Sequence, residues 1–113
     1  MLATEVIQLS GILDSTKTQE LRDRVDQGIE QGAKIILVDL KDVTFMDSSG
    51  LGALVTALKT VRSEGGKLCV CSVNDQVRIL FELTSMDRIF EIFRDQNDFY
   101  KVNGQVTSSV NLN

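Results

Sequence analysis

The sequence predicts a single α/β domain that contains a largely parallel, or mixed, β-sheet and about four helices. Strand-like and helix-like segments alternate along the 113 residues in the order β-α-β-α-β-α-β-α, which is typical of a parallel sheet. Residues 34–40 form a continuous apolar run of strand length, as expected for a central strand that helices cover on both faces. Since 42% of the chain is apolar, it can build one core, and we expect one domain over residues 1–103.

Two different periods identify the first strand and the first helix. In the middle of residues 5–13, polar and apolar positions alternate, which predicts a strand with one wet face. Thr16, followed three residues later by Gln19, fits a capping box. Apolar side chains then recur at every fourth position. These signals predict a helix over residues 17–31.

The second strand and the second helix are separated by a short predicted loop. The strand at residues 34–40 is followed by a loop that includes residues 43–47. Leu51 then begins a series of apolar residues at the spacing i, i+3, i+4 and i+7, which predicts a helix. The sequence Glu-Gly-Gly at residues 64–66 ends that helix.

The rest of the chain contains two further strand and helix pairs. Residues 67–72 are predicted as a strand, and Asn74 as the N-cap of the third helix. Residues 89–93 resemble a short strand, and residues 95–103 a terminal helix. From residue 104 to residue 113 the chain is polar and has no apolar period, so we expect a flexible tail there.

The two cysteines, Cys69 and Cys71, lie two positions apart in the predicted third strand. Their side chains should point to the same face, with Cα atoms about 7 Å apart, which is at the limit of disulfide geometry. We therefore expect two buried, reduced thiols. The chain has no His and no other Cys, so we expect no metal site.

Charge and hydropathy exclude several classes of partner. The formal net charge is −4 and the basic residues are scattered, so we expect no nucleic-acid binding, because the phosphate backbone would repel this surface. No apolar stretch reaches the roughly 20 residues that cross a bilayer. The N-terminus lacks the pattern of a signal peptide. We expect a cytoplasmic protein with no direct membrane insertion.

The segment Asp47-Ser48-Ser49-Gly50 lies where a loop turns into the second predicted helix. A serine at that position is close to unpaired backbone N–H groups and to the positive end of the helix dipole, which together favour an anionic group. The segment is therefore suited to carry a phosphoserine. From the residues alone a second interpretation remains open, in which Asp47, Ser48 or Ser49 only caps the helix.

The same segment resembles a motif of STAS-domain proteins, in particular anti-sigma factor antagonists. Their strand-to-helix turn carries an apolar pair followed by Asp-Ser-Ser/Thr-Gly-Leu-Gly, and residues 45–52, Phe-Met-Asp-Ser-Ser-Gly-Leu-Gly, fit it without a gap. The resemblance covers residues 4–100 and implies that Ser48 is the phosphoacceptor, with Ser49 as a competing acceptor. Two features depart from the family pattern: Thr84-Ser85 replaces the usual Thr-Gly, and there is no room for an extra short strand before the first one.

The resemblance also implies a set of partners. The unphosphorylated protein would bind an anti-sigma factor that is itself a serine kinase, phosphorylation of Ser48 would end that association, and a PP2C-type phosphatase would restore it. ATP and magnesium would belong to the kinase, so the chain itself needs no cofactor. The partner-binding residues implied are Asp14, Asp47, Ser48, Ser49, Gly50 and Leu51. Each of the two aspartates has a second interpretation as a helix cap.

Two other functions are alternatives to this one. A hydrolase that uses Ser48 or Ser49 as its nucleophile would need a general base, and the chain has no histidine and no Gly-x-Ser-x-Gly elbow. We therefore expect no enzymatic activity and assign no catalytic residue. The alternative that remains is a STAS adaptor subunit of a transporter or of a signalling assembly, without a sigma-factor role.

Overall fold

The computed structural model describes residues 3–104. Its four strands are β1 (Thr4–Leu13), β2 (Ile35–Met46), β3 (Lys67–Cys71) and β4 (Glu91–Phe93). They form one sheet in the order β1-β2-β3-β4, and each neighbouring pair is parallel. The predicted α/β class is confirmed, and within the described residues the sheet is parallel throughout rather than mixed.

Four helices connect and follow the strands, as predicted. They are α1 (Thr18–Glu30), α2 (Ser48–Ser63), α3 (Asp75–Leu83) and α4 (Gln96–Asn103). Helices must link successive strands here, because parallel neighbours cannot be joined by a tight turn. Within residues 3–104 none of these helices combines the length and the apolar character needed to cross a bilayer.

Strand β2 is buried on both faces, as its apolar sequence predicts. Ile36 and Val38 belong to the larger core cluster, which the apolar faces of α1, α2 and α3 cover. Ile35 and Leu37 point the other way, into a smaller cluster that contains Phe99 of α4. Three helices therefore lie on one face of the sheet and α4 lies on the other.

Both cysteines contribute to the smaller cluster under α4. Cys69 and Cys71 are free and fully buried on the same face of β3, which confirms their expected placement. Burial raises the pKa of each thiol to about 12, since a thiolate there would lose its hydration. At neutral pH both side chains are therefore neutral and unreactive.

The predicted capping box of the first helix is wrong. Residues Ser15–Lys17 form a short 3-10 helix, and α1 begins only at Thr18, after a Lys17 cap that makes no side-chain bond. The Thr16 hydroxyl donates to Asp14 Oδ1 instead of capping α1, and the Gln19 amide donates to Asp23. A local hydrogen bond to Asp14 thus competes successfully with the capping geometry.

Strand β2 is longer than predicted, and the loop expected at residues 43–47 is largely strand. β1 continues alongside it, so that Gly11 pairs with Val43 and Leu13 with Met46. Register shifts occur on either side of Gly11, whose φ is +75°. These irregularities interrupt the regular pattern of side chains, which explains why the polar residues of this stretch resemble a loop in the sequence.

The other elements follow the prediction with small shifts. Asn74 is confirmed as the N-cap of α3, because its side chain accepts from the N–H of Val77. β3 ends one residue early, where Ser72 takes a left-handed φ of 62°. β4 starts two residues later than predicted, behind a short 3-10 helix at Met86–Arg88. Of the tail predicted at residues 104–113, only Gly104 is described, and the rest lies outside the described residues.

Candidate functional site

The candidate phosphorylation motif lies at the point where β2 passes directly into α2. Asp47 separates the two elements and acts as the N-cap of α2, with its Oδ1 accepting from the N–H of Gly50 at 2.9 Å. Ser48 and Ser49 are the first two residues of the helix, and both are exposed. Among residues 3–104, neither hydroxyl is engaged in a hydrogen bond. Both serines therefore offer a free hydroxyl at a helix N-terminus.

Gly50 lets the first turn of α2 approach the end of β1 closely. A Cβ atom at this position would overlap the carbonyl oxygen of Leu13 and lie 2.8 Å from its carbonyl carbon. The same Leu13 oxygen accepts from the N–H of Asp47 at 3.3 Å. Only glycine fits this contact. Gly52, two residues further along the helix, meets nothing within 4 Å.

Leu51 points inward rather than toward a partner. Its side chain is only 6% exposed and belongs to the larger core cluster. Gly50 is buried as well. Of the residues predicted to bind a partner, these two therefore hold the turn in place, whereas Ser48 and Ser49 form its accessible surface.

Asp14 and Asp47 lie at the same edge of the sheet. Leu13 of β1 is paired with Met46 of β2, and Asp14 and Asp47 are the residues that follow them. The carboxyl ends of parallel strands meet at one edge of the sheet. The structure thus places both predicted carboxylates at the end of the sheet where α2 begins. Each also caps a helical turn: Asp14 accepts from the N–H of Thr16 at 2.9 Å, and Asp47 caps α2.

The Asp14 carboxyl is stabilised in its ionised form. Its pKa lies below the ordinary value, chiefly because the Thr16 hydroxyl donates a hydrogen bond to it, and further because the Thr16 backbone N–H does. Hydrogen bonds to a carboxylate favour the charged state. This carboxylate therefore keeps its negative charge at neutral pH, at the edge of the sheet where α2 begins.

Gln76 also contacts the motif, although nothing in the sequence predicts this contact. Its Oε1 accepts from the N–H of Met46 and its Nε2 donates to the carbonyl of Met46, both at 2.8 Å. Asn74 adds bonds from Nδ2 to the carbonyls of Val43 and Thr44, both at 3.2 Å. No signal in the sequence indicates that a glutamine in the first turn of a helix forms hydrogen bonds to the backbone of a strand 30 residues away.

The site has no features of a metal centre. Within the described residues, no group of three or more His, Cys, Asp and Glu side chains is arranged to hold a metal ion. What the geometry offers is an exposed hydroxyl, a helix N-terminus and two nearby carboxylates. The hydroxyl can receive a phosphoryl group, and the carboxylates would repel the negative charge that such a group adds.

Comparison with known proteins places the motif in a family context. The STAS domain model matches residues 4–99. An anti-sigma F factor antagonist from Paenibacillus polymyxa is 33% identical over 92 residues, which are 80% of this chain and 79% of that protein. An anti-sigma-B factor antagonist from Bacillus subtilis (strain 168) is 34% identical over 86 residues, 76% of this chain and 78% of that protein.

A solved structure agrees with these relatives. The crystal structure of a candidate anti-sigma factor antagonist from Thermotoga maritima superimposes with a TM-score of 0.80 at 27% identity, covering 88% of this chain and 86% of that one. The STAS domain match over residues 4–99 includes both the sheet edge that carries Asp14 and Asp47 and the helix that begins at Ser48.

Proposed function

The chain belongs to the STAS domain family, and we propose that it is an anti-sigma factor antagonist that binds its anti-sigma factor when unphosphorylated and is released by phosphorylation of Ser48. The observation that carries the proposal is the exposed Ser48 hydroxyl at the first position of α2, directly after the Asp47 cap. The names of the two relatives support the antagonist role.

A phosphate on Ser48 changes binding more than folding. It adds about −1.5 to −2 charges, and in the free protein these charges face solvent and the N-terminus of α2, which tolerates an anion. In a closed interface the same charge would be desolvated beside the carboxylates of Asp14 and Asp47. Burying an unpaired charge at an interface can cost several kcal/mol, so the phosphorylated form dissociates.

The proposal includes a kinase and a phosphatase. The anti-sigma factor is itself the serine kinase and supplies ATP and magnesium, and a PP2C-type phosphatase removes the phosphate and restores binding. The chain itself contributes the acceptor hydroxyl and needs no cofactor. Because sigma factors act on RNA polymerase, the proposal implies a cytoplasmic location.

Ser49 competes with Ser48 because both are exposed in the first turn of α2. The two differ in their place relative to the cap: Ser48 follows Asp47 directly, as the phosphoacceptor does in the family motif that this sequence resembles. We therefore assign the phosphate to Ser48. Replacement of each serine separately distinguishes the two acceptors.

The test uses a candidate anti-sigma factor kinase, chosen from the genes that neighbour this one, together with ATP. Wild type, Ser49→Ala and Ser48→Ala should all bind the kinase, but only the first two should be phosphorylated. Ser48→Asp should bind at least about tenfold more weakly, or about 1.4 kcal/mol, and should melt within a few degrees of wild type. Mass spectrometry locates the phosphate, and calorimetry gives the affinities.

Two results would contradict the proposal. Phosphate on Ser49, with Ser48 unmodified, would reassign the acceptor. Equal kinase affinity of wild type, Ser48→Ala and Ser48→Asp would remove the switch and favour the adaptor role, in which phosphorylation of this turn has no consequence for assembly.

A further inference from the structure

The last part of β2 has a strand on only one side. The pairing between β2 and β3 ends at Asp39, which faces Cys71, whereas β2 continues to Met46. On its other side, β2 remains paired with β1 up to Leu13 and Met46. Backbone groups on the unpaired edge of β2 would be left without partners there, which is unfavourable for partly buried groups.

Side chains of α3 take the place of the missing strand. The Gln76 amide bonds both the N–H and the carbonyl of Met46, at 2.8 Å each. This is the pair of bonds that a neighbouring strand residue would provide. On the opposite side, the carbonyl of Leu13 accepts from the N–H of Asp47. The two residues before Ser48 are thus held from both sides, by β1 and by Gln76.

Gln76 is itself fixed on a well-anchored element. The next residue of α3, Val77, is fully buried, as is Phe81 one turn further on, and Asn74 caps the helix while also bonding the carbonyls of Val43 and Thr44. The backbone of Gln76 therefore cannot shift without disturbing the packing of α3. A side chain on such a support positions its partner more accurately than one on a loop.

We propose that Gln76 is a positioning residue for phosphoryl transfer to Ser48, an inference that rests on the proposed function. In that step the Ser48 Oγ forms a bond to the γ-phosphorus of ATP, the bond to the bridging oxygen breaks, ADP leaves, and the hydroxyl proton passes to a base of the kinase. Gln76 bonds both the N–H and the carbonyl of Met46. It thereby restricts the position that the Ser48 hydroxyl can take in the kinase active site.

The expected effect is on the rate of transfer rather than on docking. Displacing a reacting atom by about 1 Å can reduce a rate by about a hundredfold. The bonds of Gln76 are internal to the chain and partly buried, so their loss leaves the exposed surface at Ser48 and Ser49 chemically unchanged. Kinase affinity should therefore change little while transfer becomes slower.

The experiment compares Gln76→Met with Gln96→Met under single turnover, with the kinase in excess and ATP present. Methionine keeps the length of the side chain and removes its amide. Gln96 is a matched control, because its Nε2 donates to the buried Asp39 carboxylate at 2.7 Å on the other face of the sheet. Both variants lose a partly buried side-chain amide, but only Gln76→Met loses the hydrogen bonds to the phosphorylation motif.

For Gln76→Met we expect the saturating rate to fall by about tenfold, with the half-saturating kinase concentration within about twofold of wild type. Gln96→Met should have the same saturating rate and the same half-saturating kinase concentration as wild type, even if its melting temperature is lower. If Gln76→Met is unfolded at the assay temperature, Gln76→Glu replaces it, since a carboxylate still accepts from the Met46 N–H but cannot donate to its carbonyl. The same loss of rate is expected.

Three results separate this inference from the proposed function. Wild type that is not phosphorylated on Ser48 overturns both. Phosphorylation of wild type on Ser48, with equal saturating rates for the Gln76 and Gln96 variants, overturns the positioning role alone. A loss that lies entirely in the half-saturating concentration also overturns it, because Gln76 would then act in docking.

Discussion

Gly50 shows how a single residue fixes the geometry of the candidate phosphorylation site. The motif contains two glycines, and the sequence gives no reason to treat them differently. The structure separates them: Gly50 lies against the backbone of Leu13, and Gly52 faces open space. The close contact at Gly50 is what allows Ser48 and Ser49 to begin α2 directly at the end of the sheet.

This difference gives a prediction for two matched substitutions. Gly50→Ala should lower the free energy of unfolding by at least about 2 kcal/mol, because the new methyl group overlaps backbone atoms that cannot move aside. Gly52→Ala should raise it by about 0.5–1 kcal/mol, since alanine is the better helix former at an exposed site. Urea denaturation measures both. Equal effects of the two substitutions would show that the contact with Leu13 is not a constraint.

The place of the proposed acceptor, Ser48, at a helix N-terminus could be predicted from the sequence, but the contacts that support it could not. The Asp-Ser-Ser-Gly segment before an amphipathic run is enough to place Ser48 at a helix N-terminus. Gln76 contacts the motif across 30 residues of chain, and nothing local in its neighbourhood reveals a partner in β2. The capping box at Thr16 failed for a different reason, because one local pattern lost to another: the Thr16 hydroxyl donates to Asp14, two residues earlier.

At the scale of elements, α3 has a second function besides covering the core. Its N-cap, Asn74, uses its oxygen to accept from the N–H of Val77 and its nitrogen to donate to two carbonyls of β2. The helix is thereby attached to the strand that leads into the candidate site. The sequence predicted the cap, because Asn is a strong capping residue, but β2 was predicted to end before the carbonyls that Asn74 contacts.

Two substitutions separate the two roles of Asn74. Asn74→Asp keeps the capping oxygen and removes the donors to β2, and it should lower the free energy of unfolding by about 1 kcal/mol. Asn74→Ala removes both roles and should lower it by about 2 kcal/mol, since a lost cap costs about 1 kcal/mol more. Thermal or urea denaturation provides the comparison. Identical stabilities of the two variants would mean that only the donors to β2 matter.

At the scale of the molecule, the order of elements and the burial of β2 followed from the sequence. The helical spacing of apolar residues identified α1 and α2, and the mainly apolar run at residues 34–40 identified a strand covered on both faces. The full length of β2 did not follow, because the register shifts around Gly11 interrupt the pattern of alternating side chains. Pairing with β1 keeps the last part of β2 extended, although its local sequence does not favour a strand.

The C-terminal residues give the prediction for the whole chain. Deleting residues 105–113 should change the melting temperature by less than about 5 °C, or roughly 1 kcal/mol for a domain of this size, because their sequence has no apolar period with which to dock against the core. Calorimetry of the full and shortened chains measures the difference. A larger fall would show that these residues contribute packing.

The strand order has a consequence for how the protein forms during synthesis. Because the order in space, β1-β2-β3-β4, is also the order along the chain, each strand leaving the ribosome can join the last completed edge, and no strand has to be inserted between two earlier ones. During synthesis the chain emerges N-terminus first, at about 5–20 residues each second. Ser48 therefore emerges before Gln76, and its segment is held on both sides only once α3 has been made and docked.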